Sequence, residues 1–227
     1  MASPSSSLPS NVHISSHPCI KAKISQLRST STNARDFKAL IHEVGTMVAC
    51  EALAASLNPV NNGTDKSPLG DTYDVQSISP SRLILVPILR SGLSLVDAVS
   101  ALLPYPVPVN HLGMFRDGNL NPVEYYNNLR DHATGDQPVE LAIVLDPIIA
   151  TGVTCLGAVQ SLQECKADKI LIIGVLGTET GLRKIAKACG DYVDIWMGGI
   201  DPGTDEKGMI RPGMGDVGDR LFLTLGK

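Results

Sequence analysis

The sequence predicts a single α/β domain built on a mostly parallel β-sheet that is flanked by helices on both faces. Three observations predict it: fully apolar runs alternate with helical stretches, only 4% of the residues are aromatic, and 227 residues suffice for one domain with a substantial core. Parallel strands buried on both faces are continuous aliphatic runs, because neither side of the sheet meets water. Sheets of this kind bind ligands at the carboxyl ends of their strands.

The net charge and the cysteines indicate which binding partners and which cellular compartment to expect. A net charge of −4 gives no electrostatic reason to bind nucleic acid or an anionic membrane. The five cysteines include no C-x-x-C pair, so they indicate neither a disulfide framework nor a zinc site and favour a reducing, cytoplasmic compartment. No apolar run reaches the roughly 18 residues of a membrane span. Residues 1–18, rich in Ser and Pro, are expected to form a mobile tail before a domain over 19–227.

The first elements of the domain are a helix and an arm. Apolar residues recur at helical spacing over 33–57, with Thr32 or Asn33 as the N-cap. This pattern predicts a helix with one buried stripe. Turn residues dominate 58–81 except for a short alternating piece at 73–75, which predicts a loop or an extended arm.

From residue 82 onward, short β-rich runs alternate with helical ones. Helices are predicted at about 92–103, 154–166 and 181–188. The predicted strands are LILVPIL, PVNHLGMF, VELAIVLD, KILIIGVL and VDIWMGG. This alternation is the βαβ pattern from which parallel sheets are built.

One predicted strand ends in an acid and a loop that suits a phosphate. In VELAIVLDPIIATGVTCL, Asp146 follows the strand, and Thr151, Gly152 and Thr154 precede a helix. Backbone N–H groups and hydroxyls at such a junction hold a phosphate. A carboxylate repels phosphate but accepts hydrogen bonds from sugar hydroxyls, so the pair favours a ribose phosphate. A plain strand–turn–helix, with Thr151 or Thr154 as N-cap and Asp146 as a turn residue, fits the bare pattern equally well.

Three further motifs accompany this loop: VPILRSG, PVEYYNNL and PGMGDVGDR. Together with DPIIATGVT they resemble the uracil phosphoribosyltransferase family, and the likeness covers most of the chain, including SPLG in the arm. Asp146 is followed by Pro147, where most type I phosphoribosyltransferases carry two acids, which favours the uracil branch. The resemblance implies the type I phosphoribosyltransferase fold, with a β-arm and a C-terminal hood that binds the base.

The resemblance also implies an activity. Ribose 5-phosphate would pass from phosphoribosyl pyrophosphate to N1 of uracil, giving UMP and pyrophosphate in pyrimidine salvage. Mg²⁺ is the implied cofactor, bound mainly through the pyrophosphate rather than by dedicated protein ligands. The expected partners are these small-molecule substrates and a second copy of the chain, as a homodimer or higher homo-oligomer that binds GTP, with no nucleic acid and no membrane.

By the same resemblance, residues of the motifs take roles in the site. The residues expected to bind phosphoribosyl pyrophosphate are Arg90, Arg116, Asp146, Pro147, Ala150, Thr151, Gly152, Val153, Thr154 and Asp216. Those expected to bind uracil are Ile210, Gly215, Asp216 and Val217. Arg116 and Asp216 are the expected catalytic residues. Their chemistry suits the reaction, since cations stabilise a polyanionic leaving group and a carboxylate stabilises an oxocarbenium-like sugar.

Several of these residues also have a purely structural interpretation. Arg90 could cap a helix or pair with an acid, and Arg116 could form a surface pair with its neighbour Asp117. The glycines of GMGDVGDR could simply shape a loop, and its Asp219-Arg220 pair is expected to be structural rather than catalytic. His111 and Cys155 are expected in the core.

Five positions depart from the family's pattern. Met209 stands where the family carries Tyr, Arg211 adds a charge, and Val217 replaces the usual Ala. Val153 and Leu223 stand where the family usually has Gly, and a required positive φ would strain Val153. Two alternatives therefore stay open: a weakened homologue that binds nucleotides or regulates, and a phosphoribosyltransferase for another base.

Overall fold

The predicted parallel sheet is the centre of the fold. The computed structural model of the chain describes residues 8–117, 121–129 and 138–224. Its helices are α1 (Pro18–Arg28), α2 (Ala34–Ser56), α3 (Leu93–Ser100), α4 (Val153–Glu164), α5 (Glu179–Cys189) and α6 (Val217–Phe222). Its strands are β1 (Val12–Ile14), β2 (Asn58–Lys66), β3 (Thr72–Ser79), β4 (Leu83–Leu89), β5 (Leu112–Arg116), β6 (Pro122–Asn127), β7 (Leu141–Leu145), β8 (Ile148–Ile149), β9 (Lys169–Thr178), β10 (Val193–Asp201), β11 (Gly203–Thr204) and β12 (Ile210–Arg211).

The strands of the main sheet run in the order β1-β10-β9-β7-β4-β5-β6, and the short β8 pairs with β9. All neighbouring pairs are parallel except β5 and β6 at one edge. The central strands β4, β7 and β9 are buried along nearly their whole length, because helices lie on both faces. The mostly parallel sheet predicted from the aliphatic runs is therefore confirmed.

Helices bury two separate apolar layers against the sheet. One layer joins α1, α2, α3 and α6, and the other joins α4 and α5. The predicted helix over 33–57 is α2, and Asn33 is its N-cap, accepting a hydrogen bond from the Asp36 amide. Among the described helices, α2 is also the one whose length and composition would allow it to cross a membrane. Its apolar stripe is instead buried in the first of the two layers.

The segment before α1 corrects the expected tail over residues 1–18. Val12–Ile14 adds a strand to the sheet edge, parallel to β10, and α1 begins at Pro18. The Asn11 side-chain amide donates to two carbonyls of the α5–β10 connection, both at 2.8 Å. A three-residue edge strand is too short to give a periodic signal, which is why a Ser- and Pro-rich composition concealed it. Residues 1–7 lie outside the described part of the chain.

The segment 58–81, predicted as a loop or an extended arm, forms a β-hairpin. β2 and β3 pair antiparallel, and every residue of β2 is exposed. The SPLG motif makes the turn, where the Gly70 amide donates to the Ser67 carbonyl. At its tip, Leu69 is 90% exposed. The hairpin, called the arm below, thus presents apolar side chains that its own domain leaves uncovered.

Arg220 of α6 ties the C-terminal segment to the turn between α1 and α2. Its guanidinium lies 3.9 Å from the ring centroid of Phe37, and burial lowers the pKa of Arg220 from its ordinary value. The structural role expected of Arg220 is confirmed by these contacts. The guanidinium donates to four backbone carbonyls, those of Leu27, Ser29, Thr32 and Met214.

Arg220→Lys should lower the free energy of unfolding by about 2 kcal/mol, because one ammonium cannot serve carbonyls arranged around a planar fork. Denaturant titration measures the change. Arg183→Lys is the matched control, since Arg183 makes a salt bridge with Glu179 within α5, and it should cost less than about 0.5 kcal/mol. Equal losses in the two variants would show that the carbonyl contacts of Arg220 contribute little.

Candidate active site

A cleft of about 1090 Å³ opens at the carboxyl ends of the central parallel strands. Its walls come from the ends of β4 and β7, from β5 and β6, and from the C-terminal segment. Of the residues predicted for the site, those lining the cleft are Arg90, Asp146, Ala150, Thr151, Gly152, Thr154, Ile210, Gly215, Asp216 and Val217. The fold therefore brings together motifs that lie far apart in the chain, at the edge where parallel sheets bind ligands.

The loop after β7 has the predicted strand–turn–helix form. Gly152 is the N-cap of α4 and has a φ of 76°. A Cβ at Gly152 would lie 2.7 Å from the carbonyl oxygen of Gly181, so backbone conformation and packing both require glycine. Val153 is the first residue of α4 and does not have a positive φ. The strain that a Gly-like conformation would cause at Val153 therefore does not arise.

The start of α4 is suited to bind an anion. Neither Thr151 nor Thr154 is the N-cap, so the interpretation of these threonines as ordinary caps is wrong. Both line the cleft, beside a helix terminus whose capping residue makes no side-chain hydrogen bond. The first amides of a helix carry partial positive charge and lack intrahelical acceptors. Hydroxyls next to such amides add hydrogen-bond donors that suit a phosphate.

Thr178 holds the other side of this loop and was not identified from the sequence. Its hydroxyl donates to the Ala150 carbonyl at 2.6 Å and accepts from the Gly181 amide at 2.9 Å. Thr178 is fully buried and caps α5. A Thr-x-x-Gly sequence at the end of a strand is the signal that could have indicated it.

Asp146 lies at the tip of β7, where it is 6% exposed and lines the cleft. Its Oδ1 accepts from the Ile148 amide at 3.4 Å, and its Oδ2 accepts from the Cys155 thiol at 3.6 Å. Burial raises the pKa of the Cys155 thiol well above its ordinary value, and the charge of Asp146 raises it further. The thiol therefore stays protonated and remains a donor. The expected burial of Cys155 is confirmed, whereas its contact with Asp146 was not predicted.

Pro147 and Val153, two other residues predicted for the site, do not line the cleft. The Pro147 carbonyl faces the sheet, where it accepts from two amides of β9 at 3.0 Å. Arg116 is the last residue of β5 and is paired with Pro122 of β6, but its side chain lies outside the described part of the chain. The role of Arg116 at the pyrophosphate stays a prediction.

Arg90 reaches from the loop after β4 to the C-terminal segment. Its Nη2 donates to Asp219 at 3.2 Å and its Nη1 donates to the Thr224 hydroxyl at 3.1 Å. The side chain is half exposed and lines the cleft. The interpretation that Arg90 pairs with an acid is thus confirmed, and the acid lies on the opposite wall of the cleft.

The hood consists of β11, β12 and the loop that follows them. The Asp205 carboxylate accepts from the Met209 amide at 3.0 Å and from Arg211 Nε at 2.9 Å. These hydrogen bonds lower the pKa of Asp205, which keeps it ionised opposite Arg211. The Arg211 side chain is 70% exposed and does not line the cleft, whereas Met209 does. The charge added by Arg211 therefore lies outside the cleft, whereas Met209 alters the wall of the cleft.

Asp216 begins α6 at the base of the hood. Its Oδ1 accepts from the Asp219 amide at 2.9 Å, and the carboxylate borders the cleft. Leu223 ends the same helix with a φ of 55°, a left-handed conformation that explains why a glycine is usual there. No group of three His, Cys, Asp or Glu within the described ranges could hold a metal ion.

A parallel sheet whose central strand ends in an acid and a glycine-capped helix, closed by a hood from the C-terminal segment, defines a type I phosphoribosyltransferase. The comparisons with known proteins narrow this class. The family model of uracil phosphoribosyltransferase matches residues 14–224, and the chain belongs to that family.

Two relatives that carry this family name and one solved structure are similar to the chain over most of its length. The chain is 37% identical over 216 residues to a uracil phosphoribosyltransferase of Halalkalibacterium halodurans, covering 95% of this chain and 99% of that one. It is 36% identical over 214 residues to the putative uracil phosphoribosyltransferase urg2 of Schizosaccharomyces pombe, with coverage of 94% and 90%. The solved structure of the AQ2163 protein from Aquifex aeolicus superposes with a TM-score of 0.83 at 28% identity, over 95% of this chain and 100% of that one.

Gly152→Ala should lower the free energy of unfolding by about 3 kcal/mol or more, because a left-handed alanine costs roughly 1–2 kcal/mol and the clash with Gly181 adds to it. Gly70→Ala is the matched control. Gly70 has a φ of 89°, but a Cβ there meets no atom within 4 Å. Its expected loss is therefore the conformational part alone, about 1–2 kcal/mol. Equal losses of unfolding free energy in denaturant titration would mean that the loop shifts enough to accommodate a Cβ at Gly152.

Proposed function

We propose that this protein transfers ribose 5-phosphate from phosphoribosyl pyrophosphate to N1 of uracil, producing UMP and pyrophosphate in pyrimidine salvage. Membership of the uracil phosphoribosyltransferase family and the names of the similar bacterial enzymes support this proposal. The observation that carries it is the meeting of Asp146 and the α4 terminus with the hood in one cleft.

In the proposed complex, the loop after β7 binds the phosphate of the sugar phosphate, and the carboxylate beside the loop binds its ribose. The first amides of α4 and the hydroxyls of Thr151 and Thr154 bind the 5-phosphate, since they supply donors and positive potential at one point. Asp146 accepts from the ribose hydroxyls, because a buried carboxylate is a strong hydrogen-bond acceptor. Because a carboxylate repels phosphate, Asp146 also disfavours a phosphate at its own position. The site therefore distinguishes the ribose from the phosphate of the substrate.

The bond to the anomeric carbon breaks with an oxocarbenium-like transition state. In the proposed reaction, Asp216 lies between base and ribose and stabilises the positive charge of the sugar. Arg90 and Arg116 stabilise the negative charge that develops on the departing pyrophosphate. Uracil N1 bonds to the anomeric carbon as the bond to pyrophosphate breaks, and the N1 proton is released.

Mg²⁺ fits this arrangement as an ion that the substrate carries. Magnesium keeps several waters and uses one or two carboxylates together with substrate phosphates, and Asp216 is an exposed carboxylate at the cleft wall. Bound to the pyrophosphate, the ion would neutralise charge on the leaving group. Asp216 would meet it through water.

The structure favours uracil activity over the two alternatives. Arg211 is paired outside the cleft and Val153 is unstrained, so two of the departures from the family pattern leave the site unchanged. Met209 and Val217 remain as altered wall residues. They reshape a surface that the base would touch, which keeps a preference for another base as the second candidate.

The wider proposal concerns the assembly and setting of the enzyme. The exposed apolar side chains of the arm, Leu69 at its tip and Tyr73 and Val60 on its strands, support association of two copies, because uncovered apolar surface favours burial against a partner. GTP binding and a cytoplasmic location belong to the proposal through the family resemblance alone.

The direct test is incubation of the purified protein with phosphoribosyl pyrophosphate, Mg²⁺ and each free base in turn, with chromatographic detection of the nucleotide. Uracil should give UMP and be preferred to cytosine about tenfold or more, because an amino group in place of a carbonyl leaves two donors facing each other. Turnover of a purine alone would favour the second candidate. Binding of phosphoribosyl pyrophosphate without turnover of any base would favour the weakened homologue.

Asp146→Asn should weaken the binding of phosphoribosyl pyrophosphate roughly tenfold or more in calorimetry, since hydrogen bonds to a charged acceptor contribute about 1.5–3 kcal/mol. Asp194→Asn, which removes a carboxylate paired with Lys169 at the opposite ends of the strands, is the control and should leave affinity unchanged. Unaltered affinity in Asp146→Asn would exclude Asp146 from the ribose site.

Met209→Tyr and Arg211→Val should behave differently. Met209→Tyr is expected to lower the KM for uracil, because a rigid ring borders a planar base better than a flexible thioether. Arg211→Val should leave that KM unchanged, since the Arg211 side chain is paired with Asp205 away from the cleft. Steady-state kinetics at saturating phosphoribosyl pyrophosphate separates them. A lower KM in Arg211→Val alone would mean that its charge does reach the base.

A further inference from the structure

Arg90 belongs to a closed ring of three hydrogen bonds that crosses the cleft. Arg90 Nη1 donates to Thr224 Oγ1 at 3.1 Å, and Nη2 donates to Asp219 Oδ1 at 3.2 Å. The ring is closed by the Thr224 hydroxyl, which donates to the same Asp219 oxygen at 2.6 Å. All three residues line the cleft. Neither Asp219 nor Thr224 was predicted to act in the site.

The ring fixes the plane of the guanidinium. An arginine has five N–H donors in a rigid fork, and the ring takes two of them. The remaining donors point in directions that the ring determines. A half-exposed arginine would otherwise sample several rotamers, and a misplaced donor stabilises a transition state poorly.

The partners of Arg90 are themselves anchored on the base side of the cleft. Asp219 lies in the first turn of α6, and its amide is bound by the carboxylate of Asp216. Thr224 follows Leu223, whose left-handed conformation ends the helix. A Cβ at Gly218 would lie 3.4 Å from Asp216 Oδ1 and 3.5 Å from Arg90 Nη2, so the arginine packs against the start of this helix.

We propose that Asp219 and Thr224 are positioning residues that hold Arg90 in the orientation in which it binds the pyrophosphate group. This inference rests on the proposed function and extends it, because it connects the pyrophosphate side of the cleft with the segment that faces the base. The ring uses the donors of Arg90 that reach Asp219 and Thr224, and it leaves the others for the anion.

Thr224→Val is the sharpest variant, because it removes the hydroxyl at nearly constant volume and without changing any charge. The affinity for phosphoribosyl pyrophosphate with Mg²⁺, measured by calorimetry without uracil, should fall about three- to tenfold, the range of one neutral hydrogen bond. Thr46→Val is the control, since Thr46 is a partly exposed threonine of α2, outside the cleft, whose hydroxyl donates to the His42 carbonyl. It should leave the affinity unchanged.

A second variant separates positioning from electrostatics, because the two effects predict opposite changes in affinity. Asp219→Asn removes a negative charge from the cleft, which by itself favours an anionic ligand. If positioning dominates, Asp219→Asn nevertheless weakens binding. Tighter binding would show that the carboxylate competes with the ligand for Arg90 and would overturn the proposal.

A double-mutant cycle excludes a merely structural role. In an Arg90→Met background, Thr224→Val should have no further effect on affinity, because its action passes through the arginine. An undiminished loss in that background would overturn the proposal, as would unchanged affinity in Thr224→Val alone.

The proposed function can be refuted independently of the role proposed for Asp219 and Thr224. A wild type that binds phosphoribosyl pyrophosphate but makes no UMP would refute uracil transfer, while the cycle would still test the ring. Inorganic pyrophosphate with Mg²⁺ serves as the second probe. A wild type that binds neither ligand would overturn both proposals.

Discussion

The close approach of the loop after β7 to the first turn of α5 is the constraint on which the site depends. A Cβ at Gly181 would lie 2.2 Å from the Ala150 carbonyl oxygen, and one at Gly152 would lie 2.7 Å from the Gly181 carbonyl oxygen. With glycine on both sides, Thr178 can bridge the loop and the helix from a fully buried position. The loop is therefore fixed against α5, while Thr151, Gly152 and Thr154 line the cleft.

The hood depends on contacts with the other end of the chain. Arg28 of α1 binds Asp201 in a bidentate pair at 2.6 and 2.7 Å, and the same carboxylate accepts from the Gly213 amide at 2.9 Å. Asp201 is 5% exposed, so losing either partner would leave a buried charge unmatched. Together with Arg220, this pair ties the hood to α1 and to the end of β10. The hood side of the cleft is consequently positioned by α1 and by the turn that follows it.

The departures from the family pattern differ in their physical consequences. Val153 is helical and Arg211 is neutralised at the surface, so neither changes the cleft. Leu223 adopts a left-handed conformation that glycine would adopt at lower energetic cost, which concerns stability rather than the pocket. Met209 alters the wall itself. Under the proposed function, the choice between uracil and another base depends on side chains of this wall.

The sequence by itself determined the parallel sheet, α2 with its Asn33 cap, and the loop after β7, because aliphatic runs, helical periodicity and turn residues are local signals. Only the tertiary structure revealed β1, the role of Thr178, the contact of Cys155 with Asp146 and the placement of Arg211 outside the cleft. The ring around Arg90 joins residues 134 positions apart. Contacts of that kind depend on the order of strands in the sheet and on how the C-terminal segment returns across it. Neither of these produces a local pattern in the sequence.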